Sequence, residues 1–271
     1  KHQQKLVFRR SRGFAPNYFF AEELSQLNKE KNKILSLGGD LKNTFAIVPN
    51  NHVYISEYIG DLANFETYER FENTVKSYQK IFNFEPEIIL KDLHPKYENQ
   101  NIISRFEKKS AQSAKSTRVE KIQHHKAHFA SILGEKKLWK SEKVLGVVWD
   151  GIGFGTSTEI WGGEFFLFEN KRIKRVGQLE NFAWILGDKM SKSPKISALS
   201  ISDNNEDLKF AFDENEWKIY TQLIEKSEVK TSSMGRFFDA VSFVLGYEKP
   251  IFFEGESAMW LEKISQEKFP T

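Results

Sequence analysis

Short apolar runs broken by turn residues open the readable part of the chain. "KILSLGGDLKNTFAIVPNNHVYISEYIG" (33–60) predicts three strands. Ile34 to Leu37 leads into a Gly38-Gly39-Asp40 turn, Thr44 to Val48 returns, and Pro49-Asn50-Asn51 turns into His52 to Tyr58. The period then changes. Phe65, Tyr68, Phe71, Val75, Tyr78 and Ile81 recur at steps of three and four, the spacing of one helix face. "EIILKDLHP" predicts a buried strand whose carboxyl end carries Asp92 and His94. A polar stretch, 98–117, separates it from Arg118 to Ile122 and the segment "QHHKAHFAS".

The pattern then starts again. "KVLGVVWDGIGFG" predicts an apolar strand running into a glycine turn, "EIWGGEFFLFEN" a second strand and "KRIKRVGQLE" a third. Strand, glycine turn, strand, strand and helical material thus occur twice, a repeat of architecture without residue identity. Glycine turns expose backbone N–H groups and are natural anion sites, although many merely turn. Trp217, Tyr220, Leu223 and Ile224 predict one later helix. "TSSMGRFFDAVSFVLG" predicts another, capped by Ser232 or Ser233, stopped at Gly246 and striped by Phe238, Val241 and Leu245. Asp239 lies off that stripe and is expected to pair with Arg236 on the helix surface. "FFEGESAMWLE" predicts a glycine turn opening a last helix.

Composition narrows the function classes. The composition, 39% apolar and 28% charged, is that of a soluble globular protein, and the length of 271 residues suggests about two domains. No run of about 18 uncharged apolar residues indicates a membrane span. A net charge of +3 makes no case for a nucleic-acid binder. The one local basic cluster, Arg9, Arg10 and Arg12, is as well read as a solvated arm as a phosphate or partner contact. There is no cysteine, so thiolate metal sites and disulfides are excluded, and a cytoplasmic setting is expected.

Histidine then changes the picture. Of six histidines, three fall within five residues, and His124 and His128 are four apart. On a helix those two share a face and can hold one metal ion, or they can form a polar helix edge. A third ligand would complete a site, best a carboxylate. Asp150 is the candidate, an acid after the apolar "VLGVVW" at the expected carboxyl end of a strand. It can equally cap the Gly151 turn. His125 is expected to point away, surrounding the site or exposed.

These stretches in order resemble a known family. RRSRGFAP (9–16), LSLGGDLKNTFAI (35–47), ISEYIGDL (55–62), DLHPKY (92–97), IQHHKAH (122–128), WDGIGFG with WGGEF (149–165), SSMGRFFDAV (232–241) and FEGESAM (253–259) are similar to the Kae1-like carbamoyltransferase region of the HypF hydrogenase-maturation family. The resemblance implies a two-lobe α/β fold of the actin/sugar-kinase (ASKHA) superfamily. Residues 1–16 would be a linker from an upstream YrdC-like adenylating domain. Residues 17–143 would form lobe I with the histidine helix, and 144–271 lobe II, truncated at its C-terminus before the family's later phosphate loop.

The implied activity is transfer of a carbamoyl group from carbamoyl-adenylate, made from ATP, to the C-terminal cysteine of a HypE-like partner. The implied cofactor is a divalent metal, iron or zinc, on His124, His128 and Asp150. Lys42, Asn43, Asp92 and His94 are expected at the catalytic face. Gly153, Gly155, Glu164, Gly235, Arg236, Asp239 and Gly255 are expected near substrate or nucleotide. Lys126, Lys195-Ile196 and Trp260 depart from the family pattern. Two other functions share these residues: a small-molecule O-carbamoyltransferase, and a catalytically inactive binding fragment.

Overall fold

The computed structural model describes residues 17–20, 33–110, 117–155, 159–202 and 206–268. The expected linker, 1–16, and the extreme C-terminus lie outside them. The chain divides into two units, Lys1–Gln123 and His124–Thr271.

Unit 1 is a six-stranded mixed sheet. Its strands are β1 (Asn17–Phe20), β2 (Ile34–Ser36), β3 (Ala46–Val48), β4 (His52–Ile55), β5 (Ile88–Asp92) and β6 (Arg118–Ile122), in the order β1-β4-β3-β2-β5-β6. β2, β3 and β4 form the antiparallel meander that the turn residues predict. β5 and β6 add to β2 in parallel. The third strand stops at Ile55 rather than Tyr58, because Ser56 turns its backbone N–H and hydroxyl onto Phe45. Gly38, at φ 73°, is where the first turn needs glycine: a Cβ there would run into the Thr44 carbonyl.

Helix α1 (Phe65–Ile81) follows the 3-4 spacing. Phe71, Val75 and Tyr78 enter a core with Leu35, Phe45, Ile47, Phe84 and Ile89, whereas the two ends of the stripe, Phe65 and Ile81, are 78% and 72% exposed. The periodicity gives the face but overshoots the contact, since the sheet is shorter than the helix. Asn64 caps α1 by accepting the Thr67 N–H at 3.1 Å. Asn64→Ala is therefore expected to cost about 1 kcal/mol, and Phe65→Ala no more than about 0.5 kcal/mol, in urea denaturation.

The polar stretch after β5 is more ordered than its composition predicts. It holds a 3₁₀ turn (Glu98–Ile102) and helix α2 (Ile103–Ser110), with Ile102, Ile103 and Phe106 buried.

Unit 2 begins with helix α3 (His124–Glu135). The histidine helix thus groups with the second half of the chain, ahead of the 143/144 division read from the sequence. Phe129 and Leu133 on α3 pack with Val148, Trp161, Phe166 and Phe168 of the sheet behind it. That sheet contains β7 (Lys143–Phe154), β8 (Glu159–Glu169), β9 (Arg172–Gln178), β10 (Phe182–Ala183) and β11 (Lys230–Thr231). β7 and β9 flank β8 antiparallel, and β11 adds to β8 in parallel. The three strands of the repeat are borne out.

The glycine turn after β7 is not. β7 continues through Asp150-Gly151-Ile152-Gly153 to Phe154, with a shift of register between Trp149 and Gly153. Pairing to the long β8 keeps the glycines extended.

Helices α4 (Asp188–Lys192), α5 (Pro194–Ile201), α6 (Glu214–Lys226), α7 (Met234–Val244) and α8 (Glu256–Lys268) complete the unit. Pro194, which breaks the sequence pattern, sits at the first turn of α5, where its missing N–H costs nothing. Ser233 caps α7. The buried side of α7 is Met234, Asp239, Ala240, Ser242 and Phe243, so the expected stripe is displaced, and Leu245 is exposed. Among the described residues no helix is long and apolar enough to cross a membrane.

Candidate metal centre

Strand alternation places the carboxylate. On β7, Gly146 and Val148 are buried while Leu145, Val147 and Trp149 are exposed, so Asp150 falls on the inner face with α3. Helix periodicity places the imidazoles. His124 and His128 bring their Nε2 atoms to 3.1 Å of each other. Asp150 Oδ2 lies 3.3 Å from His124 Nε2 and 3.9 Å from His128 Nε2.

One ligand atom from each of the three lies within 4.8 Å of the others. Ligand atoms about 2.0–2.2 Å from one cation must approach one another to about 3.0–3.5 Å. The spacing and the nitrogen–oxygen donor set therefore fit a divalent ion. His124 is partly and His128 half exposed, which leaves one side of the cluster open.

The two carboxylate oxygens of Asp150 face different groups. Its Oδ1 accepts the Gly151 N–H at 2.7 Å, and its Oδ2 faces the histidines. Asp150 lies within the strand rather than at its carboxyl end, because β7 runs on past it. Burial would raise its pKa, but the His124 contact, the Gly151 N–H and the neighbouring imidazoles outweigh burial and hold it below the usual carboxylate range.

Of the two alternatives for His125, surrounding the site or exposed, the structure takes the first: the ring is 0% exposed, and its Nε2 turns toward the cluster rather than away, 3.6 Å from Asp150 Oδ2. Its slot exists because Gly153 has no side chain; a Cβ there would enter the imidazole. Burial pushes its pKa down to about 4, so the ring is neutral at neutral pH. Trp161 sits beside it, ring centres 6.0 Å apart, and Arg175 lies over Trp161 at 3.8 Å.

Glu164 is fully buried. It accepts Arg175 Nε at 2.5 Å, the Gly162 N–H at 3.2 Å and the Ser232 hydroxyl, tying β8 and β9 to the entry of α7. Arg175 was not legible as a site residue; its only signal is alternation on β9, whose even partners Lys174 and Arg172 are exposed.

Gly155 cannot carry a side chain without meeting Trp161. Gly235 lies so close to Gly151 that a Cβ would approach its Cα to 2.9 Å, and the Ser233 hydroxyl donates to the Gly151 carbonyl. The start of α7 is thus fixed to the residue that follows Asp150.

Arg236 and Asp239 do pair, at 2.9 Å, but in the interior: their side chains are largely buried and the Ser257 hydroxyl donates to Asp239. The surface expectation fails because α8 packs over this side of α7. Burial raises the Asp239 pKa and lowers that of Arg236. Gly255, at φ 78°, forms the turn into α8 in open space.

In unit 1, Asn43 is buried and its amide donates to the carbonyls of Leu37 and Gly39, holding the glycine turn closed. Lys42 is exposed at φ 52°. Asp92 accepts the His94 N–H at 2.8 Å, and the His94 ring stacks on Tyr97 at 4.3 Å. Asp40 was missed as a key residue although the Gly-Gly-Asp turn signals it. Its carboxylate receives the backbone N–H groups of Glu98 and Asn99, and burial raises its pKa.

Comparison with known proteins supplies the family. The HypF Kae1-like domain matches residues 29–135. The second subdomain of the carbamoyltransferase Kae1-like domain matches 146–270. Carbamoyltransferase HypF of Synechocystis sp. is 30% identical across 98% of the chain and 36% of its own length. The probable carbamoyltransferase HypF of Methanocaldococcus jannaschii is 32% identical across 98% and 35%. The crystal structure of full-length HypF in the phosphate- and nucleotide-bound form superposes with a TM-score of 0.76 at 31% identity, covering 94% of this chain and 32% of that one. The T. kodakarensis HypF structure gives 0.78 at 27%, covering 96% and 34%. The chain therefore spans about a third of the length of these relatives. With two consecutive Kae1-like matches on a mixed α/β framework that fits an incomplete ASKHA fold, this chain belongs to the HypF carbamoyltransferase family.

Proposed function

We propose that the chain is the carbamoyl-transferring module of a HypF-type enzyme, acting in the cytoplasm. It would pass the carbamoyl group of carbamoyl-adenylate to the C-terminal cysteine thiolate of a HypE-like protein, with a YrdC-like domain supplying the adenylate from ATP. The observation that carries this is the convergence of His124, His128 and Asp150 on one point in a chain of this family. Neutral His124 and His128 and ionised Asp150 would hold a divalent ion, iron or zinc. When bound, that ion supplies Lewis-acid stabilisation of negative charge on a carbonyl or phosphoryl oxygen.

The protein's own groups do the rest. The Gly151 N–H orients the Asp150 carboxylate, and buried His125 packs beside it. The capped start of α7 fixes the backbone beside it. In the transfer, the thiolate sulfur forms a bond to the carbamoyl carbon as the bond from that carbon to the adenylate oxygen breaks. AMP leaves with the electron pair. The chain has no cysteine of its own, so the nucleophile must come from the acceptor. Lys42, Asp92 and His94, and Gly153, Arg236, Asp239 and Gly255, are proposed to serve substrate and nucleotide. Positioning and charge stabilisation suffice for this reaction, without a protein base.

The test uses the full chain, loaded with zinc or iron, with carbamoyl-adenylate and a peptide ending in the HypE cysteine, read by mass spectrometry. Thiol carbamoylation lost in His124→Ala is expected. Carbamoylation of added sugar hydroxyls in place of the thiol would establish the O-carbamoyltransferase instead. Metal binding with no transfer to either acceptor, even with an added YrdC-like domain, would leave a binding fragment and overturn the proposal.

A further inference from the structure

Two glycines at the end of β7 make room for two rings. Gly153 and Gly155 are two residues apart along backbone that stays bonded to β8, so their missing side chains face the same way. A Cβ on Gly153 would enter the His125 imidazole, and one on Gly155 the Trp161 indole. Both rings are interior: His125 is 0% and Trp161 4% exposed. Trp161 is also the cross-strand partner of Gly153, which sets it beside the His125 slot, ring centres 6.0 Å apart.

Trp161 is restrained on its face as well as at its edge. Its indole N–H donates to Glu159 at 3.1 Å. The guanidinium carbon of Arg175 stands 3.8 Å from the ring centre, a cation on an aromatic face. Arg175 is itself fixed: the fully buried Glu164 accepts its Nε, and Glu159 lies 3.6 Å from its Nη1. Taking a carboxylate and a guanidinium out of water is costly unless both are partnered. Filling this part of the core needs no such charges, since Phe166 and Phe168 complete the same cluster as plain rings. The restrained indole borders His125, and the Nε2 of His125 is 3.6 Å from Asp150 Oδ2.

We propose that Trp161, clamped by Arg175, is a positioning residue for the metal centre. It keeps His125 seated in the Gly153 slot, and the seated ring keeps the Asp150 carboxylate facing His124 and His128. The inference rests on the metal-binding role proposed for those three residues. It adds one residue from β8 and one from β9, neither of them a ligand. The physical reason is packing. A seat closed by strand backbone on one side and a restrained indole on another admits one imidazole position. Without the indole the ring gains room to tilt, the space beside Asp150 Oδ2 opens, and the carboxylate spreads over several rotamers. Ordering it again at each binding event then lowers affinity.

Two measurements on the full 271-residue chain test this: zinc affinity by competition with a chromophoric chelator, and the visible spectrum after cobalt loading. Trp161→Ala is expected to weaken zinc binding by about tenfold or more and to shift the cobalt bands. In a His125→Ala background the same substitution is expected to change affinity by less than about twofold, because the group it acts through is gone. Trp139→Ala removes a second indole from the same core, one that packs on Phe168, and is expected to leave affinity and spectrum unchanged. Should Trp161→Ala not fold, Arg175→Lys carries the test, since it keeps a cation for Glu164 but takes the planar group off the indole. It is expected to weaken zinc binding by about threefold or more, again only with His125 present. Wild-type affinity in the folded variant, an equal loss in both backgrounds, or the same loss in Trp139→Ala would overturn the proposal. The last two would leave Trp161 a structural role alone. A wild-type chain that binds neither zinc nor cobalt would overturn the metal-binding role itself, and this inference with it.

Discussion

His124→Ala is expected to remove tight divalent-cation binding, taking retained zinc or iron from about one ion per chain to a small fraction of that, with affinity reduced by at least about a hundredfold. One imidazole and one carboxylate oxygen would remain, too few to replace the hydration shell of the cation. Asp150→Asn should act similarly, because the amide keeps the shape and the contact with Gly151 but loses the negative oxygen 3.3 Å from His124. Lys126→Ala, on the same helix but outside the cluster, should leave binding unchanged and serves as the control. Metal content by mass spectrometry and the visible spectrum of a cobalt-substituted protein would read these variants. Wild-type stoichiometry and spectrum in both His124→Ala and Asp150→Asn would show that the three side chains do not share an ion.

A single methyl group at Gly153 is expected to be the second large perturbation. The added carbon would enter the ring of His125, which is fully enclosed. Either β7 or the first turn of α3 must shift. The expected cost is about 3 kcal/mol, the upper range for overpacking a filled interior. The metal site should suffer with it, since the same shift separates Asp150 from the histidines. Gly151→Ala, two residues earlier, meets nothing within 4 Å and should change stability by no more than about 0.5 kcal/mol. Urea denaturation of the pair isolates the effect of the His125 contact from any general cost of alanine in the strand. Truncating the obstacle, in Gly153→Ala with His125→Ala, should recover part of the loss. Equal stability of the two single variants would mean that His125 does not occupy the slot.

Much of the framework was legible because period and punctuation are local properties. The 3-4 spacing from Phe65 to Ile81 gave α1, and the turn residues at 38–40 and 49–51 gave the meander. The His124–His128–Asp150 cluster was legible for the same reason: a four-residue step on a helix and an acid after an apolar strand need no tertiary knowledge to be singled out. Helix α2 escaped because its apolar residues, Ile102, Ile103 and Phe106, are few and sit among charges. The persistence of β7 through DGIGF escaped because glycine signals a turn locally, while pairing with β8 decides against one.

By itself the sequence determined the order of the two meanders and of the principal helices, and which imidazoles and carboxylate could share an ion. Only the tertiary structure decided which polar groups go inside. His125 is buried because Gly153 leaves room for it, Glu164 because Arg175 and Ser232 satisfy it, and the Arg236–Asp239 pair because α8 closes over it. Burying such groups is costly unless each finds its partner. Those partners lie on other strands and helices, at separations that periodicity along one element does not encode.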